Sequence, residues 1–351
     1  MRILHLGTDS FGGYGGIALY NRELIAAMAS HPAVEEVVVV PRIVAGAIEP
    51  LPKNVTFIKA AARGRLAYLN ALRGLRRRFD LVICAHVNLL APARLVTKHP
   101  LLMLYGIEAW KPLRDSLSNR LVRNVRAVIS ISDITLERFL GWSGYLGPSH
   151  VLPNSIRAEW YGIRPRNREL MARYRLDGRR VLMTLGRVVA DERYKGFDEV
   201  LDIMPELDDD LSYLIAGGGN DVPRLQRKAA ALGIAGRVVF TGLFPEHEKA
   251  DLYNLADVYV MPSRGEGFGF VFLEAMACGV PVIASRLDGG REAVRHGALG
   301  QLVDPTSPAE IRVAIEDVLR ANAPKHIPEG LDFFSYAQFE RRTHAIMDTL
   351  L

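Results

Sequence analysis

Short apolar runs alternate with helix-like stretches along the chain, and the alternation comes in two sets. RILHL, EEVVVVP, LVICAH, LLMLYG and AVISIS form the first set, separated by stretches such as IALYNRELIAAMAS. After about residue 155 the pattern restarts as RVLMTLG, LSYLIAGGG, RVVFTG, DVYVMPS and PVIAS. Apolar strands that alternate with helices pack as parallel sheets covered by those helices. Two sets of about five strands predict an α/β chain of two Rossmann-like, doubly wound domains. An eight-stranded barrel is the rival arrangement. Against it stands VLPNSIRAEWYGIRPRNREL (151–170), an aperiodic stretch with two prolines that reads as a connection between domains. The expected division is 1–154, 155–330 and a closing segment at 331–351 that holds the helix FSYAQFERRTHAIMDTLL. A length of 351 residues accommodates this.

Charge is uneven between the halves. The first 153 residues carry 19 Lys and Arg against 10 Asp and Glu, and the remainder 25 against 29. Much of the excess lies in RGRLAYLNALRGLRRRFD (63–80), where Arg63, Arg65, Arg73, Arg76, Arg77 and Arg78 alternate with Leu66, Tyr68, Leu69, Leu72 and Leu75. The stretch is expected to form a basic amphipathic helix, which suits an anionic membrane surface through 63–78 and equally an ordinary solvated face. Nucleic acid is disfavoured, because no binding module and no base-stacking aromatic pattern is present. Cys84 and Cys278 each sit in an apolar run and read as buried thiols. MRILHLGTDS enters a strand directly, without a secretory signal, and no run of about 18 apolar residues occurs. The expectation is a cytoplasmic protein.

Several loops suit phosphate. GTDSFGGYGGIALYNREL (7–24) runs from the first strand into a helix, with five glycines over ten residues. Such a loop lets the backbone approach a phosphate at the positive helix end. A dinucleotide fingerprint can be matched at Gly13, Gly15 and Ala18, but the second strand ends VVVVPRI, without the acid that would hold a ribose. This weakens an oxidoreductase reading. In LGRVVADERYKGFDEVL (185–201), Gly186 and Arg187 follow a strand and Lys195 precedes a helix. Two cations there suit a diphosphate, although either reads equally as a solvated loop charge. LIAGGGNDVPRL (214–225) is a third strand, glycine turn and helix, and the turn from Gly242 to Phe244 could edge a base pocket.

GEGFGFVFLEAMACGVPVIA (265–284) places Glu266 and Glu274 inside an apolar segment. Buried carboxylates need partners. At a helix start, with the amides of Phe268, Gly269, Phe270 and Val271 turned to a phosphate or sugar, such carboxylates suit neutral hydroxyls. Pairing of Glu274 with a nearby arginine is the alternative.

These residues resemble the retaining glycosyltransferases of family 4, which have the GT-B fold of two facing Rossmann-like domains. Glu266 and Glu274 match the family's E-x7-E motif, and GGYGGIALYNREL, YGIEAW, PNSI, GRVVADERYKGFDEV, AGGGND and EGFGFVFLEAMACGVPVIAS extend the likeness over nearly the whole chain. The resemblance implies that Arg187 and Lys195 neutralise a donor diphosphate, approached by the Gly15–Gly16 turn. It implies that Glu266 holds donor-sugar hydroxyls beside the Phe268 and Gly269 amides, and that Glu274 holds the ribose. The closing helix would cross back to the first domain. No bound metal or cofactor is implied, and Asp208 and Asp210 in ELDDDL read as a solvated helix end. Many relatives carry histidine where this chain has Tyr105, a position next to the reacting sugar. A phenol donates a hydrogen bond but is a poor base at neutral pH. His86, Glu108 and Tyr14 are weaker acceptor-side candidates. YGIEAW and LDGGREAV look most like enzymes that transfer mannose from GDP-mannose to lipid-linked exopolysaccharide precursors, with UDP-glucose the nearest rival donor. A nucleotide-sugar epimerase or hydrolase on the same scaffold and a lectin-like module are the other classes, and a lectin would have little use for Arg187 and Lys195.

Overall fold

A computed structural model describes residues 1–76, 78–114 and 116–350. The chain divides into two units, Met1–Ser155 with Tyr336–Leu351, and Ile156–Ser335.

The first unit holds β1 (Arg2–Gly7), β2 (Glu36–Pro41), β3 (Val55–Phe57), β4 (Leu81–Ala85), β5 (Leu101–Leu104), β6 (Ala127–Ser130) and β7 (Ser149–Val151). They form one parallel sheet in the order β3-β2-β1-β4-β5-β6-β7. The order reverses between β1 and β4, and ligands of open α/β sheets bind beyond the strand ends at such a point. The interior residues of β1, β4 and β5 are buried, so these strands read as continuous apolar runs. Tyr68, Leu72, Cys84, Leu102 and Phe139 belong to the core on one side of the sheet. The last helix, Tyr336–Leu350, belongs to this unit and packs on the helix Gly16–Ala29. Ser30 donates to Glu340 at 2.6 Å, and His31 meets Asp348 at 3.2 Å. Residues 331–335 stay with the second unit, so the closing segment begins five residues later than 331.

The second unit holds β8 (Arg180–Leu185), β9 (Leu211–Ala216), β10 (Val238–Phe240), β11 (Val258–Met261), β12 (Val282–Ser285) and β13 (Gln301–Val303). Its parallel sheet runs β10-β9-β8-β11-β12-β13, with the reversal between β8 and β11. Phe197, Val200, Tyr213, Ile215, Val260 and Ile311 belong to its core. Two open sheets rule out the barrel.

The basic helix is shorter than expected. It covers Arg65–Gly74, preceded by a 3-10 turn at Lys59–Arg63 and Gly64 at φ 154°. Tyr68 and Leu72 point into the core, while Arg65, Leu66 and Arg73 are exposed. Arg76 and Arg78 lie beyond its end and Arg77 outside the described residues. Gly74 explains the stop, since glycine weakens a helix and often ends one.

Candidate functional site

In the second unit the loops after β8, β11 and β12, three neighbouring strands, carry the candidate donor site. Arg187 follows β8 and is three-quarters exposed, paired with Glu192. Lys195 is largely buried and sits 2.9 Å from the other oxygen of Glu192. Both cations thus share one carboxylate, an arrangement that an incoming diphosphate could replace. A Cβ at Gly186 would lie 3.3 Å from the Lys195 ammonium, so the glycine lets the lysine lie across the end of β8.

Glu266 is half-buried in the loop after β11, and its carboxylate has no hydrogen-bond partner among the described residues. Burial raises its pKa, Lys195 lowers it, Glu192 raises it again and Arg187 lowers it. The helix Phe270–Ala277 begins directly afterwards, with Gly269 at φ 94°, no side-chain cap and no acid in its first turn. Its first N–H groups are free to bind an anion or a sugar oxygen. Phe268 is buried, whereas Gly269, Phe270 and Val271 are half-buried.

Glu274 stands in the first turns of that helix, 3% exposed. Protein groups hold it: Tyr161 donates to Oε1 at 2.8 Å, Lys249 to Oε1 at 3.1 Å and Tyr253 to Oε2 at 2.7 Å. The expectation that ligand hydroxyls are its partners is corrected to this extent, and so is the arginine alternative. A carboxylate accepts about four hydrogen bonds, so one acceptor position on Oε2 is left beside these three donors. Burial opposes the charge on Lys249, but Glu274 and Glu246 outweigh it and raise its pKa. Burial and Glu274 together keep both phenols protonated by raising theirs.

Phe244 is half-buried in its turn, whereas its neighbour Leu243 is 91% exposed and lies against Gly218. Asp208 and Asp210 ion-pair with Arg180 at 2.8 and 2.6 Å.

In the first unit, the loops after β1, β4 and β5 gather the remaining candidates. Gly15, at φ 86°, caps the helix Gly16–Ala29, which has neither a side-chain cap nor an acid in its first turn. Tyr14 beside it is 76% exposed. His86 follows β4, and its Nδ1 accepts from the Asn88 amide at 3.1 Å, which leaves the proton on Nε2. Burial lowers its pKa, so it presents a neutral N–H donor. Glu108 Oε1 accepts from the amides of Tyr105 and Gly106 at 2.6 and 3.2 Å, so its carboxylate braces the turn after β5. Tyr105 requires a correction. Its ring is buried and its hydroxyl donates to Asn21 Oδ1 at 2.6 Å, turned into the unit's interior. Asn21 also meets His5 Nε2 at 3.2 Å and donates to the Asp9 carbonyl at 2.9 Å. Tyr105 therefore braces the glycine loop through Asn21, a partnership of residues 84 positions apart that spacing does not reveal.

Residues 167–328 match the family described as Glycosyl transferases group 1. The chain is 36% identical over 219 residues to the GDP-mannose-dependent alpha-(1-6)-phosphatidylinositol monomannoside mannosyltransferase of Mycolicibacterium smegmatis, covering 59% of this chain and 56% of that protein. It is 34% identical over 251 residues to the protein of the same description from Mycobacterium tuberculosis, covering 67% of this chain and 64% of that one. The chain thus spans between half and two thirds of these relatives' length. Among solved structures, sucrose-phosphate synthase from Thermosynechococcus elongatus superposes with a TM-score of 0.79 at 19% identity, covering 100% of this chain and 99% of that one. Anabaena HepE in complex with UDP and glucose gives 0.76 at 20%, covering 99% and 100%. Most of the second unit thus matches the group 1 glycosyl transferase family, and the two parallel-sheet units have the GT-B fold.

Proposed function

We propose that the protein is a retaining, family 4 glycosyltransferase that moves a hexose, mannose by preference, from a nucleotide-diphosphate sugar to a glycan or lipid-linked acceptor. One observation carries the reading. Two cations, a carboxylate with no hydrogen bond among the described residues and an open helix N-terminus lie at the strand ends where the second sheet reverses its order. In this reading Lys195 and Arg187 exchange Glu192 for the donor diphosphate and offset the charge that develops on it as the glycosidic bond breaks. They do so without a metal. Glu266 accepts from donor-sugar hydroxyls, the amides at Phe270 and Val271 face the phosphate, and Glu274 offers its remaining position to the ribose. The leaving phosphate takes the acceptor's proton on the same face, which retains the anomeric configuration. His86, Glu108 and Tyr14 remain acceptor-side candidates.

GDP-mannose is the favoured donor, supported by the mannosyltransferases to which the chain is similar. The exposed Arg65, Leu66 and Arg73 support a peripheral membrane acceptor. No helix among the described residues is long and apolar enough to cross a membrane.

The test is a thermal-shift panel of GDP, UDP, ADP, GDP-mannose, UDP-glucose and NADH in EDTA, followed by product analysis. A ligand at a hundred times its Kd stabilises by about 2.7 kcal/mol, a shift of several degrees. Stabilisation by GDP and GDP-mannose, with the sugar recovered on a second molecule in its original configuration, is the expected result. A shift with NADH alone, an epimerised nucleotide sugar or a requirement for a divalent ion would each overturn a named part of the proposal.

A further inference from the structure

Asp288, in the loop after β12, is fully buried but has no place in the donor contacts described above. Its Oδ2 accepts from the Ser263 hydroxyl at 2.7 Å and from the backbone amide of Glu266 at 2.9 Å. Its Oδ1 accepts from the Gly290 amide at 3.0 Å. The next residue closes the pairing from the other side, for the Gly289 amide donates to the Glu266 carbonyl at 2.8 Å. Both backbone polar groups of Glu266 are therefore fixed by one short segment of another loop. Gly289 has no room for a Cβ against Gly267 and Phe268, so the two loops touch backbone to backbone.

A buried carboxylate is costly, and a chain that only needed to close two loops could do so with neutral groups. Burial pushes the Asp288 carboxyl up to about 7, despite the donors from Ser263, Glu266 and Gly290, and the Glu266 carboxylate nearby adds to the rise. The group is retained where it sets the main chain from which the Glu266 side chain departs, four residues before the helix begins at Phe270.

We propose that Asp288 is the positioning residue of the donor-sugar site, fixing through Ser263 and the backbone of Glu266 where the Glu266 carboxylate stands. The inference rests on the glycosyltransferase reading above. It assigns Asp288 no contact with the donor. The diphosphate is held by Arg187 and Lys195, which lie on a different loop, so nucleotide binding and sugar positioning are separable.

Asp288→Asn keeps the volume but leaves one acceptor oxygen for two sets of donors, so its amide must face an N–H group. Ser263→Ala removes one of the two donors to Oδ2 and leaves the amide of Glu266 in place. The wild type, both variants and the double variant are compared in kcat and KM for GDP-mannose, Kd for GDP, and melting temperature. The expected result is a kcat at least 30-fold lower for Asp288→Asn, with GDP affinity within about threefold of the wild type. Ser263→Ala should lose less, and the double variant no more than Asp288→Asn alone, as for residues acting as a unit. Wild-type kcat in Asp288→Asn would overturn the inference and leave the glycosyltransferase reading standing. So would a loss of GDP affinity in step with kcat, which marks a merely structural residue. An inactive wild type, tested with both GDP-mannose and UDP-glucose, would sink that reading and the positioning role together.

Discussion

Glu266 and Glu274 belong to one short segment, yet their surroundings assign them opposite work. Glu274 is surrounded by two phenols and an ammonium that come from elsewhere in the second unit, while the Glu266 carboxylate makes no hydrogen bond among the described residues and has Lys195 and Arg187 as nearby charges. Glu274→Gln should therefore cost about 3 kcal/mol in stability, because it removes the buried partner of Lys249, which is only 16% exposed, and leaves that ammonium the exposed Glu246 alone. Denaturant unfolding measures this. Glu266→Ala should leave unfolding within about 0.5 kcal/mol of the wild type and abolish transfer, and an active, destabilised variant would refute that role. Lys195→Ala should raise the barrier to transfer by at least about 2 kcal/mol, read as kcat/KM with the preferred donor. The spacing of the two glutamates and the pair of cations was legible in the sequence. Tyr161 and Lys249 were not, because Tyr161 is 113 positions from Glu274 and neither residue carries a local signature. Asp288 was hidden in the same way, 22 positions beyond the amide it holds.

At the scale of elements, the inner strands were easy to read, whereas the short edge strands β3, β7 and β13, outside the two sets of about five, and the helix ends were not. Strands buried on both faces are apolar throughout, and the expected runs recur as strands of the two sheets. The basic segment misled because its arginines and leucines continue past Gly74, where the helix stops. Within the first unit, β1 and the helix Gly16–Ala29 are joined by His5, which is fully buried against Asn21. Burial lowers the His5 pKa to about 4, against the partial pull of its hydrogen bond to Asn21. In the unfolded chain its pKa is 6.5, so the unfolded state binds the proton first. The stability held by neutral His5 is complete above pH 6.5 and drains away as the pH falls from 6.5 toward 4. The total is about 3 kcal/mol. His5→Gln should flatten that part of the profile of melting temperature against pH, and an unchanged slope would show that His5 is not the group responsible.

For the molecule as a whole, the charge excess of the first 153 residues is the feature with an outward consequence. Replacing Arg65, Arg73, Arg76 and Arg78 with glutamine should lower binding to vesicles containing anionic lipid, at about 1 kcal/mol for each charge near the surface. Flotation or sedimentation reads this, and binding that survives the substitutions would remove the segment from any membrane role. Fold class was legible at this scale from periodicity alone, since βα alternation in two sets leaves few architectures. The partition of the chain between the units was less so, because the residues that lead into the last helix carry no strong local signal.

That partition has a bearing on synthesis. The first unit is discontinuous, and everything between Ser155 and Tyr336 is inserted within it. A nascent chain has all of the second unit available before the first can be completed. Until Tyr336–Leu350 emerges, Leu24 and Met28 on the opposing helix lack Ile346, Met347 and Leu350, with which they line a shared apolar crevice. Release at residue 335 should yield a protein whose second unit resists protease while the first is digested, and equal resistance of both would contradict this order of assembly. The unit begun first is thus the one finished last.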